Sequence, residues 1–338
     1  MFGSGTGTSG RRGPRAVSGV TFAAALAALG GCGLLGGPDH SPAAGSGGLE
    51  KPSIRVAVMS TIDTAPFRLA QDGGYFAREG LTVEATEAAT GQAALTKLIG
   101  GEVDIGYSSY TPFFAAKSKN TADIRLVADA SSAAPGSTAV VALPGSPVRS
   151  VADLAGRRIG ITAPNTMSDT LTKSVMQDHG VDFSHVAWTP VALPNVAASL
   201  KHGDIDAAFL TEPFITQSAK AVGSVSVVDT ATGSTRDFPT AGYGALGRFV
   251  TESPKTVAAF QRAMLSATRD AADRAKIEPL MVKYAGVDAE TAARTTLLTF
   301  RSTVDPRQLQ RVPDLMLRMG AIATGVDAAP MIVPQVVG

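Results

Sequence analysis

Gly91-Gln92-Ala93-Ala94-Leu95-Thr96-Lys97-Leu98-Ile99-Gly100-Gly101-Glu102-Val103-Asp104-Ile105-Gly106-Tyr107 reads as a helix running into a strand. Ala94, Leu95, Leu98 and Ile99 recur at helical spacing and would form one apolar face. Gly100-Gly101 stops that helix, because glycine takes the left-handed conformation that ends a helix without steric cost. The run over 103–107 then has the length and apolar character of a buried strand. A second copy of this grammar lies about a hundred residues on. There a predicted helix over 196–202 closes at Gly203, and a strand over 205–210 follows. Gly101-Glu102-Val103-Asp104-Ile105-Gly106 and Gly203-Asp204-Ile205-Asp206-Ala207-Ala208 share a glycine and an aspartate at the same spacing. The likeness is slight, and it fits two related α/β lobes.

Working outward, strands are predicted over 54–59, 81–86 and 124–128, with helices over 67–72 and 111–117. An apolar strand over 139–143 is followed by Pro144 and Gly145, and the alternation then restarts. In this second part strands are predicted over 158–161, 186–188, 205–210, 225–228 and 243–246. Helices are predicted over 151–154, 168–179, 196–202 and 213–221. Alternation of this kind argues for mostly parallel sheets covered on both faces. Past Thr251 the pattern is helical, over 253–276, 278–284, 289–298 and 306–319. The expected architecture is a first lobe over 51–139, a second over 140–245 and a helical return to the first over 246–338. Two crossings, near Ala139 and Ala245, would make a hinge.

The chain has 338 residues, 17% of them charged, with a net charge of +1. It carries no basic block of the kind a nucleic-acid partner would need. Cys32 is the only cysteine, so no internal disulfide or cysteine-based zinc site can form. His40, His179, His185 and His202 show no metal-ligand spacing. No metal or cofactor is expected.

Arg11, Arg12 and Arg15 precede an uncharged apolar run over 17–29. That run is shorter than the roughly 20 residues needed to span a bilayer, and it fits the hydrophobic region of a secretory signal over 1–31. It ends in Leu29-Gly30-Gly31-Cys32, which resembles the lipobox of bacterial lipoproteins. The resemblance implies cleavage before Cys32, lipid attachment to its sulfur and anchoring on the outer face of the cytoplasmic membrane. Two or three acyl chains hold firmly, at about 0.8 kcal/mol per buried methylene. Residues 32–50, rich in Gly, Pro, Ser and Ala, read as a flexible tether.

Several motifs in sequence order are similar to one family. They are Gly74-Tyr75-Phe76-Ala77-Arg78-Glu79-Gly80-Leu81-Thr82-Val83-Glu84, then Gly91-Gln92 with Leu98 and Gly101-Glu102-Val103-Asp104. Asp153-Leu154-Ala155-Gly156-Arg157-Arg158-Ile159-Gly160 comes next, then Leu200 with Gly203-Asp204-Ile205-Asp206-Ala207 and Glu212-Pro213-Phe214. The chain resembles the solute-binding proteins of ABC importers that take aliphatic sulfonates, nitrate, taurine and thiamine pyrimidine precursors (the SsuA/THI5-like, NMT1-like group). The resemblance covers roughly residues 54–300. It implies a type II periplasmic-binding-protein-like α/β fold, closure of two lobes on a small molecule, and an ABC permease with its ATPase subunit as partners. A monomer is expected.

Ligands of open α/β sheets bind outside the carboxyl ends of strands, where helix N-termini point their N–H groups. This selects Ser60, Thr61 and Asp63 after the first strand, Gly91 and Gln92 after the second, and Ser108, Ser109 and Tyr110 after the third. In the second lobe it selects Asn165, Thr166, Ser168 and Glu212. The resemblance implies that these same loops supply ligand contacts. Five of them also have a structural role open: Ser109, Ser168 and Asp63 as helix caps, Glu212 as a first-turn acid, Tyr110 as a core aromatic. Sulfonate- and nitrate-type members commonly carry a Gly-Ser or Gly-Thr pair where Asn165-Thr166 stands. No Lys or Arg occurs in these loops, which fits a zwitterion, an amine-bearing or a neutral heterocyclic solute better than a bare anion.

Two other functions share the fold. One is a pyrimidine-precursor synthase that uses iron and its own histidine, whose cysteine-rich signature is absent here. The other is a ligand-sensing module, which would need an attached signalling domain. No catalytic residues are expected. For the N-terminus, Cys32→Ser is expected to abolish incorporation of radiolabelled fatty acid and to shift the protein from the membrane fraction to the soluble one.

Overall fold

The computed structural model describes residues 48–336. The expected signal segment, Cys32 and most of the tether lie outside them. The chain runs β1 (Ser53–Val58), α1 (Ala65–Asp72), α2 (Tyr75–Arg78), β2 (Thr82–Glu87), α3 (Gly91–Ile99), β3 (Ile105–Ser109), α4 (Tyr110–Ser118) and β4 (Ile124–Ser132). It continues with β5 (Thr138–Ala142), β6 (Arg158–Ile161), α5 (Met167–Asp178), β7 (Ala187–Pro190), α6 (Val196–His202), β8 (Ala207–Thr211), α7 (Phe214–Val222) and β9 (Val225–Asp229). The return comprises β10 (Pro239–Leu246), α8 (Gly247–Glu252), α9 (Pro254–Asp270), α10 (Arg274–Ala285), α11 (Ala289–Arg294), β11 (Thr299–Phe300) and α12 (Pro306–Arg318). The helix over 91–99, the strand over 158–161 and the helix over 196–202 stand where their glycines and apolar spacing put them.

Two sheets result. The first has the order β11-β4-β10-β3-β1-β2 and the second β7-β6-β8-β5-β9. Strands β1, β2 and β3 are parallel, as are β6, β7 and β8. The antiparallel members are β10 between β3 and β4, β5 between β8 and β9, and the short edge strand β11 on β4. The two lobes thus share one strand plan. Strands β5 and β10 each directly follow a crossing, at residues 133–137 and 230–238. The sequence reading set the second crossing near Ala245 and assigned 140–245 to the second lobe. Instead β10 lies inside the first sheet: Ala241, Gly242, Tyr243, Gly244 and Ala245 pair with β3. An apolar strand looks the same from sequence whichever sheet receives it.

Both sheets are covered on both faces. Ala139 and Val141 of β5 pack against Val196 and Leu200 of α6, while Val140 and Ala142 join Met176 of α5, as strand alternation requires. In the first lobe, Leu95, Leu98, Phe113 and Phe114 gather with Leu315 and Met316 of α12. On the other face Phe67, Phe76, Tyr243 and Phe260 form an aromatic cluster with ring centroids 5.4–6.0 Å apart.

The tail is more broken than its periodicity suggested. The helix expected over 253–276 ends at Asp270, and Asp273 caps a new one by accepting from Ala275 N. The helix expected over 289–298 stops at Arg294, and Thr299–Phe300 instead pairs with β4. From this tail Arg301 grips the crossings. Its Nη2 donates to both Asp237 carboxylate oxygens at 2.7 Å and its Nε to Ser132 Oγ at 2.8 Å. Ser132 ends β4 and Asp237 precedes β10, so one guanidinium joins the ends of both hinge segments.

Strand β10 carries one large side chain, Tyr243, between two glycines. Ala241, Tyr243 and Ala245 face the aromatic cluster, while Gly242 and Gly244 leave room for α4. A Cβ on Gly242 would come within 2.7 Å of Tyr110 Cε1 and Cζ. Gly242→Ala is therefore expected to destabilise the protein by about 1–3 kcal/mol through overpacking, read as a lower urea midpoint at unchanged slope.

Candidate functional site

The ends of β1, β2, β3, β6, β7 and β8 surround a cleft of about 710 Å³ between the two lobes. Of the residues expected from sequence, Ser60, Thr61, Asp63, Gly91, Gln92, Ser109, Thr166, Ser168 and Glu212 line it. Ser108, Tyr110 and Asn165 do not.

The three departures have local causes. Ser108 and Ser109 are neighbours on β3, so their side chains take opposite faces. Ser109 turns to the cleft, whereas Ser108 is fully buried, its Cβ 3.2 Å from where a Cβ on Gly91 would stand. Tyr110 is buried in the core of α4, and its hydroxyl donates to Asp129 Oδ1 at 2.7 Å. Asn165 is exposed and adopts φ 61°, a left-handed conformation that asparagine tolerates better than most side chains. It therefore does the backbone work of the glycine expected at this point, and its side chain lies outside the cleft.

On the first lobe, Thr90 caps α3 by accepting from Ala93 N at 3.0 Å. Ser60 Oγ donates to Glu87 Oε2 at 3.0 Å, and Glu87 pairs with the buried Arg68. Asp63 does not cap α1; it sits half-buried in a short 3-10 turn, where the Tyr107 hydroxyl donates to its Oδ2. Burial pushes the Asp63 carboxyl up, against the opposing hydroxyls of Thr61 and Tyr107.

On the second lobe, Thr166 is the N-cap of α5 and Ser168 lies within its first turn. Thr162, Thr166 and Ser168 form a hydroxyl cluster with oxygens 2.8–3.1 Å apart. Asp169, only 1% exposed, accepts from Asn165 N at 3.0 Å and Thr166 N at 2.8 Å, and pairs with Lys173. Glu212 is 4% exposed and likewise engaged. It accepts from Thr216 N at 3.1 Å, from Thr216 Oγ1 at 2.8 Å and, across from the tail, from Thr296 N at 3.3 Å. Burial pushes its carboxyl up while these donors pull it down.

Sequence reasoning missed part of the wall. Glu87 is the last residue of β2, Pro190 is the last of β7, and Val191, Ala192, Leu193 and Pro194 follow it; all satisfy the carboxyl-end rule already used for the other strands. Thr240 and Ala241 escaped it because β10 runs antiparallel and brings its amino end to the cleft. Phe209, Phe214 and Leu298 complete the apolar lining.

A family profile described as NMT1/THI5 like matches residues 61–276. The chain belongs to the NMT1/THI5-like family. Solved structures agree on the fold. The alkanesulfonate-binding protein SsuA from Xanthomonas axonopodis pv. citri, bound to MOPS, is similar at 17% identity and TM-score 0.71, over 83% of this chain and 98% of that one. The ligand-binding component of an ABC-type import system from Staphylococcus aureus, with zinc bound, is similar at 12% identity and TM-score 0.73, over 84% and 97%. The nitrate-binding protein NrtA from Synechocystis PCC 6803 is similar at 15% identity and TM-score 0.70, over 83% and 85%. No curated protein sequence matches the chain. This NMT1/THI5-like chain therefore has the type II periplasmic-binding-protein fold. Among its described residues no three His, Cys, Asp or Glu side chains gather as a metal site, and no helix is long and apolar enough to cross a membrane.

Behind the cleft, burial pushes the Asp129 carboxyl from 3.8 up to about 7, against the pull of the Tyr110 hydroxyl. Its folded pKa lies above its unfolded one, so the folded state binds the extra proton. The stability this gives is full below about pH 4 and is lost as pH rises to about 7. At ~1.4 kcal/mol per pH unit, the loss is at most about 4 kcal/mol. Asp129→Asn is expected to flatten that part of the stability–pH curve measured by chemical unfolding.

Proposed function

We propose that the protein is the extracytoplasmic solute-binding component of an ABC importer, capturing a small polar organic solute by closure of its two lobes. The observation that carries this reading is a cleft of about 710 Å³ walled by both lobes and crossed behind by two chain segments. That volume is in the range of small-molecule sites. Family membership, and the kinds of solute bound by proteins of the same fold, support it.

In this mechanism the ligand first meets one wall and closure brings up the other. Thr90, Gly91, Gln92 and Asp63 present polar groups from the first lobe, and Thr162, Thr166 and Ser168 present hydroxyls from the second. The ligand favours closure only by its better contacts with the closed form. Segments 133–137 and 230–238 absorb the rotation, as hinge segments do. The loaded protein then docks on a permease, and the partner ATPase drives release. Binding rather than turnover is supported by how the cleft's side chains are used: its carboxylates and hydroxyls largely bond to their own chain, and no His, Cys or Lys stands among the described lining residues. An extracytoplasmic position, held by lipid on Cys32, is the matching location.

The test is native mass spectrometry of protein purified without refolding, with small-angle scattering before and after the carried molecule is removed. A bound small molecule whose presence reduces the radius of gyration is expected. Identical scattering profiles with and without any bound species would count against capture by closure.

A further inference from the structure

We propose that the cleft selects an organic cation, whose charged nitrogen sits against the Asp63 carboxylate while its carbon body lies on the apolar wall of the second lobe. This rests on the capture reading and sharpens it.

Some charges in the cleft are already matched and others are not. Its ionisable lining residues, apart from Tyr107, are Asp63, Glu87 and Glu212, and no Lys, Arg or His lines it among the described residues. Helix N-termini could still hold a bare anion through free N–H groups. Here three of those at the cleft already engage side chains of their own chain, while the start of α4, behind Ser109, carries no side-chain cap. Thr90 serves α3, Asp169 serves α5 and Glu212 serves α7. The positive ends of α3, α5 and α7 are thus partly used from within, and no side-chain cation adds to them.

The same inventory singles out Asp63. Glu87 has Arg68 as its counter-charge, and Glu212 has three hydrogen bonds. Asp63 has only neutral groups acting on it, the hydroxyls of Thr61, Tyr107 and Ser131 and its own backbone, and no cation is among them. An ionised carboxylate removed from water is costly unless a positive partner arrives with it. Lobe closure would dehydrate Asp63 further, so a ligand cation is rewarded there and a ligand anion penalised. Across the cleft, Pro190, Val191, Leu193, Pro194, Phe209 and Phe214 offer carbon surface rather than charge.

The groups around Asp63 keep its titration simple. Tyr107 on β3 and Tyr243 on β10 are both pushed well above the ordinary tyrosine value, by burial first and then by the Asp63 charge. Neither therefore ionises near neutrality. Glu87, on β2, is held by Arg68.

The experiment measures thermal shift and calorimetric binding for size-matched cations and anions on the full chain freed of carried ligand. The cations are butylammonium, benzylammonium and benzamidinium; the anions are butanesulfonate, benzenesulfonate, benzoate and nitrate. Stabilisation by one or more cations and by none of the anions is expected. Asp63→Asn, which can still accept from Tyr107, should weaken cation binding at least tenfold without lowering the melting temperature of the empty protein. Benzamidinium stays charged across the range, so its affinity for the native chain should fall as acid protonates Asp63, and this dependence should vanish in Asp63→Asn. Binding of any anion in preference to the cations would overturn the cation assignment and leave capture intact. Cation binding unaltered by Asp63→Asn would overturn the role of Asp63. If no probe of either class binds, the assignment also fails, and the native mass spectrum then decides separately whether capture stands.

Discussion

In each sheet an antiparallel strand stands fourth, counted from β2 in the first and from β7 in the second, and each of those strands adjoins a crossing between lobes. β5 enters the second sheet directly from residues 133–137, and β10 enters the first directly from 230–238. The hinge is consequently anchored on both sides in the middle of a hydrogen-bonded sheet, not in a surface loop. Rotation of one lobe against the other can take place in the short crossings while both sheets stay intact. The packing follows from this arrangement: Gly242 and Gly244 admit α4 against β10, and the aromatic cluster fills its other face.

The same geometry assembles the cleft. Because the parallel strands of both lobes end towards one another, helices α3, α5 and α7 all start at the cavity. In many anion sites such helix starts are left open to ligand. Here threonine and carboxylate side chains engage part of each of these three starts, and the charged side chains of the walls are carboxylates. Hydroxyls supply direction without charge, and the 190–194 segment supplies apolar area. The polarity of the cavity is thus set less by the fold than by a few caps chosen at the loops.

The strand plan was legible where glycines punctuate and apolar spacing is strict, as in α3, β6 and α6. It was less legible where tertiary context decides. A strand such as β10 carries no mark of the lobe that receives it, and the extended Thr299–Phe300 segment pairs with β4 only because that edge is available. At the site, the carboxyl-end rule found nine lining residues because it follows from sheet geometry. It failed at Ser108, where alternation turns one of two adjacent serines inward. It failed at Tyr110, which the buried Asp129 draws into the core. At Asn165 the residue type answered a backbone need. Whether a given polar side chain faces the cleft depends on a strand's parity and on buried partners distant in sequence, and neither is written in the loop itself.

The position of β10 also orders the assembly of the molecule. Strands β3 and β4 are close in sequence yet flank a strand more than a hundred residues away, so the first sheet is incomplete until the second lobe has been made. The second lobe, by contrast, is built from the uninterrupted stretch 138–229 and can close its sheet alone. A chain emerging from a ribosome or a translocation pore would thus complete its middle segment, the second lobe, first. Its amino-terminal half would stay open, with strand edges exposed to chaperones, until the return segment arrives to finish it.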